Sequence, residues 1–354
     1  MNAENIRFAS RFDGISGSAI REIFKLLAVP GMISFAGGNP SVDALPSEEC
    51  AELARELLLS KGKTLLQYGA TEGYAPLRES LVPYLKDRFS FSCGPDEVLP
   101  VTGSTQAMDL LCKALIDPGD KVVVENPTFL GNMQAIRLYQ AQLVPVDSDE
   151  NGIKVDELEE VFKKEHPKLL YVIPNFQNPT GGTLAAERRP RIAELAARYG
   201  VVVAEDDPYR DLRYAGQDLP PIKQYDEEGW VVYLGSFSKI ISPGLRVGFI
   251  AGDSAIVRKC VLGKQSSDLH TANLNQAMVD AFLREGFLPG HIARISADYR
   301  VQLEAMLAEL DSFPAGTRWI RPEGGLFIWC ALPEGMDATA LLKEAVARGV
   351  AYVP

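Results

Sequence analysis

Histidine and cysteine are scarce in this chain. Three histidines and five cysteines are spread over 354 residues. Cys50, Cys93, Cys112, Cys260 and Cys330 stand far apart, are odd in number and include no C-x-x-C pair. Neither a disulfide framework nor a zinc site is indicated. No histidine lies in an H-E-x-x-H arrangement, so metal hydrolysis and His-based triads are poorly supplied. No stretch approaches the roughly 18 consecutive apolar residues of a membrane span. The opening "MNAENIRFASRF" puts polar and charged residues where a signal peptide has its apolar core. Basic charge is also short: 36 Lys and Arg stand against 47 Asp and Glu, a formal net charge of -11. That argues against the basic face that nucleic acid requires. The expectation is a cytoplasmic enzyme or sensor for small molecules, without a nucleic-acid or membrane partner.

What is present is an ordinary globular composition, 46% hydrophobic and 23% charged. From about residue 95 onward, apolar runs alternate with helical patterns. Strands are expected at 121–125, 169–173, 201–205, 231–235 and 247–252, and helices at 104–116, 128–139, 154–165 and 184–200. Near-continuous apolar strands are buried on both faces, and their alternation with helices means a mostly parallel sheet in an α/β fold. After residue 275 the pattern turns to long helices around "GGLFIWCAL". We expect a large domain over 46–290 and a smaller α+β domain over 291–354, with 1–45 as an arm that joins the small domain.

In doubly wound sheets, ligands sit beyond the carboxyl ends of the strands. There the sequence offers "TGST" at a helix start, "PNFQNPTGG", "DDPY", and "SFSK" with Arg246 seven positions downstream of Lys239. A helix N-terminus with hydroxyls and an arginine suits an anion. An amine can attach to an aldehyde, and a carboxylate can keep a ring nitrogen protonated so that the ring draws off electrons. Together these groups suit pyridoxal 5'-phosphate, with Lys239 as its covalent anchor. Taken singly, each also has a plainer reading: Lys239 as a surface lysine, Asp206 or Asp207 as a helix N-cap, Ser104 and Thr105 as caps without a ligand, and Tyr68 as core. "SKGKTLL" imitates the end of a P-loop, but Leu57 stands where that loop needs glycine.

The stretches "ISFAGGNP", "LQYGATEGYAPLRESL", "VTGSTQAMDL", "PNFQNPTGGT", "AEDDPYRDL" and "GSFSKIISPGLRVGF" follow one another in a familiar order. From about residue 7 onward the chain resembles the fold-type I, class I/II aminotransferases. Within them it resembles the branch of 2-aminoadipate and broad-range aminotransferases. The resemblance implies the aspartate aminotransferase-like fold. It also implies that Asp206 pairs with the pyridinium nitrogen and that Tyr209 and Asn178 bond the ring's phenolic oxygen. Ser104, Thr105, Ser236, Ser238 and Arg246 would bind phosphate. Phe129 stands where the family usually has a ring-stacking tyrosine. Tyr68 would reach the phosphate of a neighbouring subunit, which implies a homodimer. Gly38 would let the backbone approach the substrate carboxylate, and Arg21 would meet a distal carboxylate.

The family pattern continues past "GVAYVP" to an arginine that clamps the α-carboxylate. No residue here matches it. The expectation is therefore a truncated small domain, weak substrate binding and poor stability. The implied activity is transfer of an amino group from an L-amino acid to a 2-oxo acid such as 2-oxoglutarate. A β-lyase or decarboxylase of the same fold, or an aminotransferase-like sensor, are the alternatives.

Overall fold

The computed structural model describes residues 6–13, 15 and 31–354. Among them run twelve strands: β1 (Ile33–Ser34), β2 (Val98–Val101), β3 (Lys121–Asn126), β4 (Gln142–Asp149), β5 (Gly152–Ile153), β6 (Leu169–Val172), β7 (Val202–Asp206), β8 (Val231–Ser236), β9 (Gly248–Ala251), β10 (Arg318–Trp319), β11 (Cys330–Ala331) and β12 (Val350–Ala351). Eight of these form one sheet in the order β2-β9-β8-β7-β6-β3-β4-β5.

Strands β8, β7, β6, β3 and β4 are parallel neighbours, whereas β9 runs antiparallel to both β2 and β8. Because β9 is reversed against both, β2 points the same way as β8. The carboxyl ends of β2, β3, β6, β7 and β8 therefore meet at one edge, together with the start of β9. The 237–247 connection leaves β8 and returns as β9 at that edge, since Ser236 pairs with Gly248.

Each central strand alternates its side chains between two buried layers, as the pleat requires. Val122, Val124, Tyr171, Val202 and Ala204 pack with the Ser104–Leu115 helix on one face. Val123, Leu170, Val172 and Val203 pack with the Val155–Glu165 and Arg188–Tyr199 helices on the other. A fully buried Val or Leu contributes roughly 1.5–3 kcal/mol, so these strands tolerate no polar face. The Arg188–Tyr199 helix stops at Gly200, whose φ of 65° closes the turn where the sequence predicts a glycine cap.

Beyond the β2–β9 edge, the Ser47–Leu65, Ala75–Phe89 and Asn273–Arg284 helices enclose Leu53, Leu81, Val279 and Phe282 against Tyr233 and Phe249. The remaining strands lie outside the large sheet. Strand β1 pairs in parallel with β12, Ile33 opposite Val350, and β10 pairs antiparallel with β11. The long Phe287–Leu310 helix reaches back to the segment before residue 45, where Tyr299 accepts the Ser41 N–H at 3.0 Å.

Candidate active site

At the carboxyl edge of the sheet, β7 ends in Asp206, a buried carboxylate. Its Oδ2 accepts from the Tyr171 hydroxyl at 2.8 Å and from Asn132 Nδ2 at 3.1 Å. Its Oδ1 is enclosed and has no hydrogen-bond partner among the described residues. Burial pushes the acid up to about 7, against the pull of the Tyr171 hydrogen bond. A buried acceptor left open costs free energy unless a donor arrives. Oδ1 is thus the atom on which a protonated heterocycle would be held. Asp207 has no such vacancy: Asn175 Nδ2 donates to both of its oxygens at 2.9 Å and Tyr233 donates to one at 3.2 Å. The fully buried Arg189 in turn donates to Asn175 Oδ1 at 2.8 Å and to the carbonyls of Pro174, Leu184 and Pro220. The β6 and β7 ends are pinned together from below.

Lys239 lies three residues beyond β8. Its Nζ donates to the Gly38 carbonyl at 2.7 Å. Burial, helped by the Arg246 charge, lowers the amine to about 8. A cation near neutral pH thereby becomes an amine that is partly free to attack. Gly38 itself abuts Phe327: a Cβ there would lie 2.5 Å from the Phe327 ring. Phe327 stands edge-on to Tyr209 with ring centroids 5.4 Å apart, and the Tyr209 hydroxyl accepts from Asn178 Nδ2 at 3.3 Å. The chain 38–327–209–178 closes one side of the site.

The other side is an anion seat. Gly103, at φ 81° and ψ 161°, precedes the Ser104–Leu115 helix, and no side chain caps the helix's first N–H groups. The conformation suits glycine alone. A Cβ at Gly103 would meet Arg246 Nη2 at 2.2 Å, so guanidinium and helix start are in close contact. Ser236 and Ser238 are buried beside them, and Ser236 Oγ accepts the Ser238 N–H at 3.2 Å. Uncapped N–H groups, hydroxyls and an arginine are together the arrangement that would suit a dianion.

Lys239, Asp206, Tyr209, Asn178, Gly38, Ser104, Thr105, Ser236, Ser238 and Arg246 thus share one edge. Phe129 immediately precedes the Leu130–Leu138 helix that carries Asn132. Tyr68 is 79% exposed, and its ring lies edge-on to His270 at 6.1 Å. Arg21 lies outside the described residues. Asn132, Tyr171 and Phe327 were missed in the sequence. Only the "GG" before "LFIW" hinted at the last, because a glycine pair lets a chain pass close to another.

The amine of lowered basicity, the open acid and the anion seat match the three polar ends of pyridoxal 5'-phosphate. The family model for aminotransferase class I and II covers residues 30–354. The chain is 42% identical over 353 residues to aromatic-amino-acid aminotransferase 1 of Thermococcus litoralis, with 98% of this chain and 85% of that protein aligned. It is 44% identical over 344 residues to the 2-aminoadipate transaminase of Thermus thermophilus, covering 96% and 85%. The kynurenine aminotransferase of Pyrococcus horikoshii, solved in complex with PMP, superposes with a TM-score of 0.95 at 40% identity, over 100% of this chain and 88% of that one. The alpha-aminoadipate aminotransferase of Thermus thermophilus, complexed with N-(5'-phosphopyridoxyl)-L-leucine, superposes with a TM-score of 0.90 at 42% identity, over 98% and 87%. The chain belongs to the class I and II aminotransferases, and pyridoxal 5'-phosphate is its cofactor.

Proposed function

We propose that this aminotransferase moves an amino group from an aromatic amino acid or 2-aminoadipate to 2-oxoglutarate, using the residues at the sheet edge in turn on both substrates. One observation carries the assignment of roles: the enclosed Asp206 Oδ1 has no donor of its own, at the end of the strand beside the one that leads to Lys239. Pyridoxal phosphate, when bound, supplies an aldehyde for the amine and a ring that accepts the electron pair left by a broken Cα–H bond. Every other task falls to side chains of the protein.

Lys239 Nζ holds the cofactor at rest. With a substrate bound, Lys239 Nζ would be the base that takes the substrate Cα proton and the acid that gives it back. Asp206 keeps the ring nitrogen charged through Oδ1, while Tyr171 and Asn132 fix the carboxylate from behind through Oδ2. Asn178 and Tyr209 orient the phenolic oxygen. Ser104, Thr105, Ser236, Ser238 and Arg246 hold the phosphate, and Phe129 covers the ring. Gly38, whose missing side chain makes way for the Phe327 ring, would bring its backbone up to the substrate carboxylate.

The exposed Tyr68, two residues after the exposed Leu66, supports a homodimer in which Tyr68 reaches the neighbour's phosphate seat. Residues 46–290 form the cofactor domain, and 291–354 with the segment before 46 form the small one. The enzyme works in the cytoplasm; no helix among the described residues is long and apolar enough to cross a membrane.

The test is a donor panel with added cofactor and 2-oxoglutarate, read as glutamate formed. Glutamate from aromatic donors or 2-aminoadipate, abolished by Lys239→Ala, is the expected result. Pyruvate and ammonia without glutamate would replace transfer by lyase chemistry.

A further inference from the structure

Behind the anion seat lies a closed polar ring that none of the assigned roles uses. Lys264, on the Ser254–Gln265 helix, is fully buried. Its ammonium donates to Gln106 Oε1 at 2.7 Å and to both Asp268 oxygens at 2.9 Å, three bonds for three hydrogens. Gln106 Nε2 donates to Asp268 Oδ2 at 2.7 Å. Gln106 Oε1 also accepts the Thr102 N–H at 2.7 Å, and Thr102 Oγ1 donates to Asp268 Oδ2 at 2.8 Å. On its third side, the Thr102 carbonyl accepts from Arg246 Nη2 at 3.3 Å. The ring therefore grips Thr102 by its N–H and hydroxyl, and the arginine holds its carbonyl.

A buried ammonium paired with a carboxylate that is 28% exposed is poor value as a stabiliser, because desolvation of the lysine offsets most of the attraction. A methionine would fill the space of Lys264 without that cost. What the ring adds is geometry and charge balance next to the seat. Thr102 and Gln106 flank Gly103, Ser104 and Thr105, so holding both fixes the direction of the first helical N–H groups. Asp268 would be a bare negative charge beside a dianion, and Lys264 cancels it.

We infer that Lys264 and Asp268 are positioning residues for the cofactor's phosphate, which they serve by locking the Thr102–Gln106 turn and neutralising each other behind it. This rests on the assignment of the seat to phosphate made above.

The test compares apoprotein affinity for pyridoxal phosphate with that for pyridoxal, which lacks the phosphate, by fluorescence titration. Lys264→Met should weaken pyridoxal phosphate binding about tenfold or more while leaving pyridoxal within about twofold. Thr102→Val, which deletes the hydroxyl's links to Asp268 and to Thr271 Oγ1 but leaves the backbone N–H bond to Gln106, should show the same selectivity more mildly, and it decides the matter if Lys264→Met does not fold. The double variant Lys264→Met/Asp268→Leu should recover part of the loss, because no uncompensated charge remains. Equal weakening of both ligands, or no weakening, would overturn the inference. Arg246→Met separates the two levels. If it loses phosphate selectivity while the ring variants do not, the seat stands and the ring's role falls. If Arg246→Met also fails to discriminate, the seat lies elsewhere and both assignments fall.

Discussion

Lys239 and Gly38, 201 positions apart in the chain, are joined by one hydrogen bond of 2.7 Å from the lysine ammonium to the glycine carbonyl. Among the described residues no carboxylate pairs with the amine to fix its charge. Its basicity is set by burial and by Arg246, and a pH dependence follows.

Capture of pyridoxal by the apoprotein needs the neutral amine. Because Lys239 is lowered to about 8, the capture rate should climb with pH and level off above that value. Arg246→Met removes one of the two lowering influences and should move the midpoint upward, toward the ordinary lysine range. Stopped-flow absorbance across pH, with pyridoxal so that phosphate contacts do not intrude, measures both. An unmoved midpoint would contradict the electrostatic role of Arg246.

Asp206 trades stability for function. Its folded value of about 7 lies above the ordinary 3.8. Between the two, the folded apoprotein holds a proton that the unfolded chain has lost. Stability therefore falls as pH rises through that window, and the full burden is present above about 7. Asp206→Asn removes it. At pH 8 the variant apoprotein should gain about 1–3 kcal/mol in urea unfolding, with little difference at pH 4. Amino transfer should drop at least about a hundredfold.

Gly103→Ala forces a side chain into a backbone conformation that only glycine adopts freely, and into the Arg246 guanidinium. A destabilisation of about 1–3 kcal/mol is expected. The rise in melting temperature on saturating with pyridoxal phosphate should shrink, because the arginine is displaced from the helix start. Thermal melts with and without cofactor report both effects.

If Tyr68 serves the neighbouring subunit, Lys239→Ala and Tyr68→Ala variants, each inactive or weak alone, should rescue one another on mixing. Random reassortment puts one intact site in each hybrid dimer, so activity should return to about a quarter of the wild-type level. Failure of rescue in subunits shown to exchange would place Tyr68 in its own chain's site or outside any site.

The central strands were legible because burial on both faces leaves no room for anything but apolar runs, as in Lys121–Asn126 and Val231–Ser236. Strands β2 and β4 were not. Pro100 interrupts the four residues of "VLPV", and Pro145 together with a half-exposed face disguises Gln142–Asp149. The side chains brought to the sheet edge were legible where several sit in one short motif, as Ser236, Ser238 and Lys239 do. Asn132 and Tyr171 were not, because they reach Asp206 from 74 and 35 positions away. Each looks locally like an ordinary helix amide or an ordinary core tyrosine. Lys264 is hidden for a related reason: Asp268 stands at the ordinary i,i+4 spacing of a solvated surface pair, and Gln106, 158 positions away, closes on it only when two helices pack.

The parallel pairing of β1 with β12 has a consequence for synthesis. Ile33 and Phe35 take their backbone partners from Gly349 and Ala351, and the stretch they anchor leads directly to Gly38. While the nascent polypeptide is still emerging from the ribosome, the sheet and its lysine can form, but the loop that meets the lysine has nothing to dock on. Closure of the side of the site at Gly38, rather than of the cofactor pocket, therefore waits until Val350 and Ala351 have been translated.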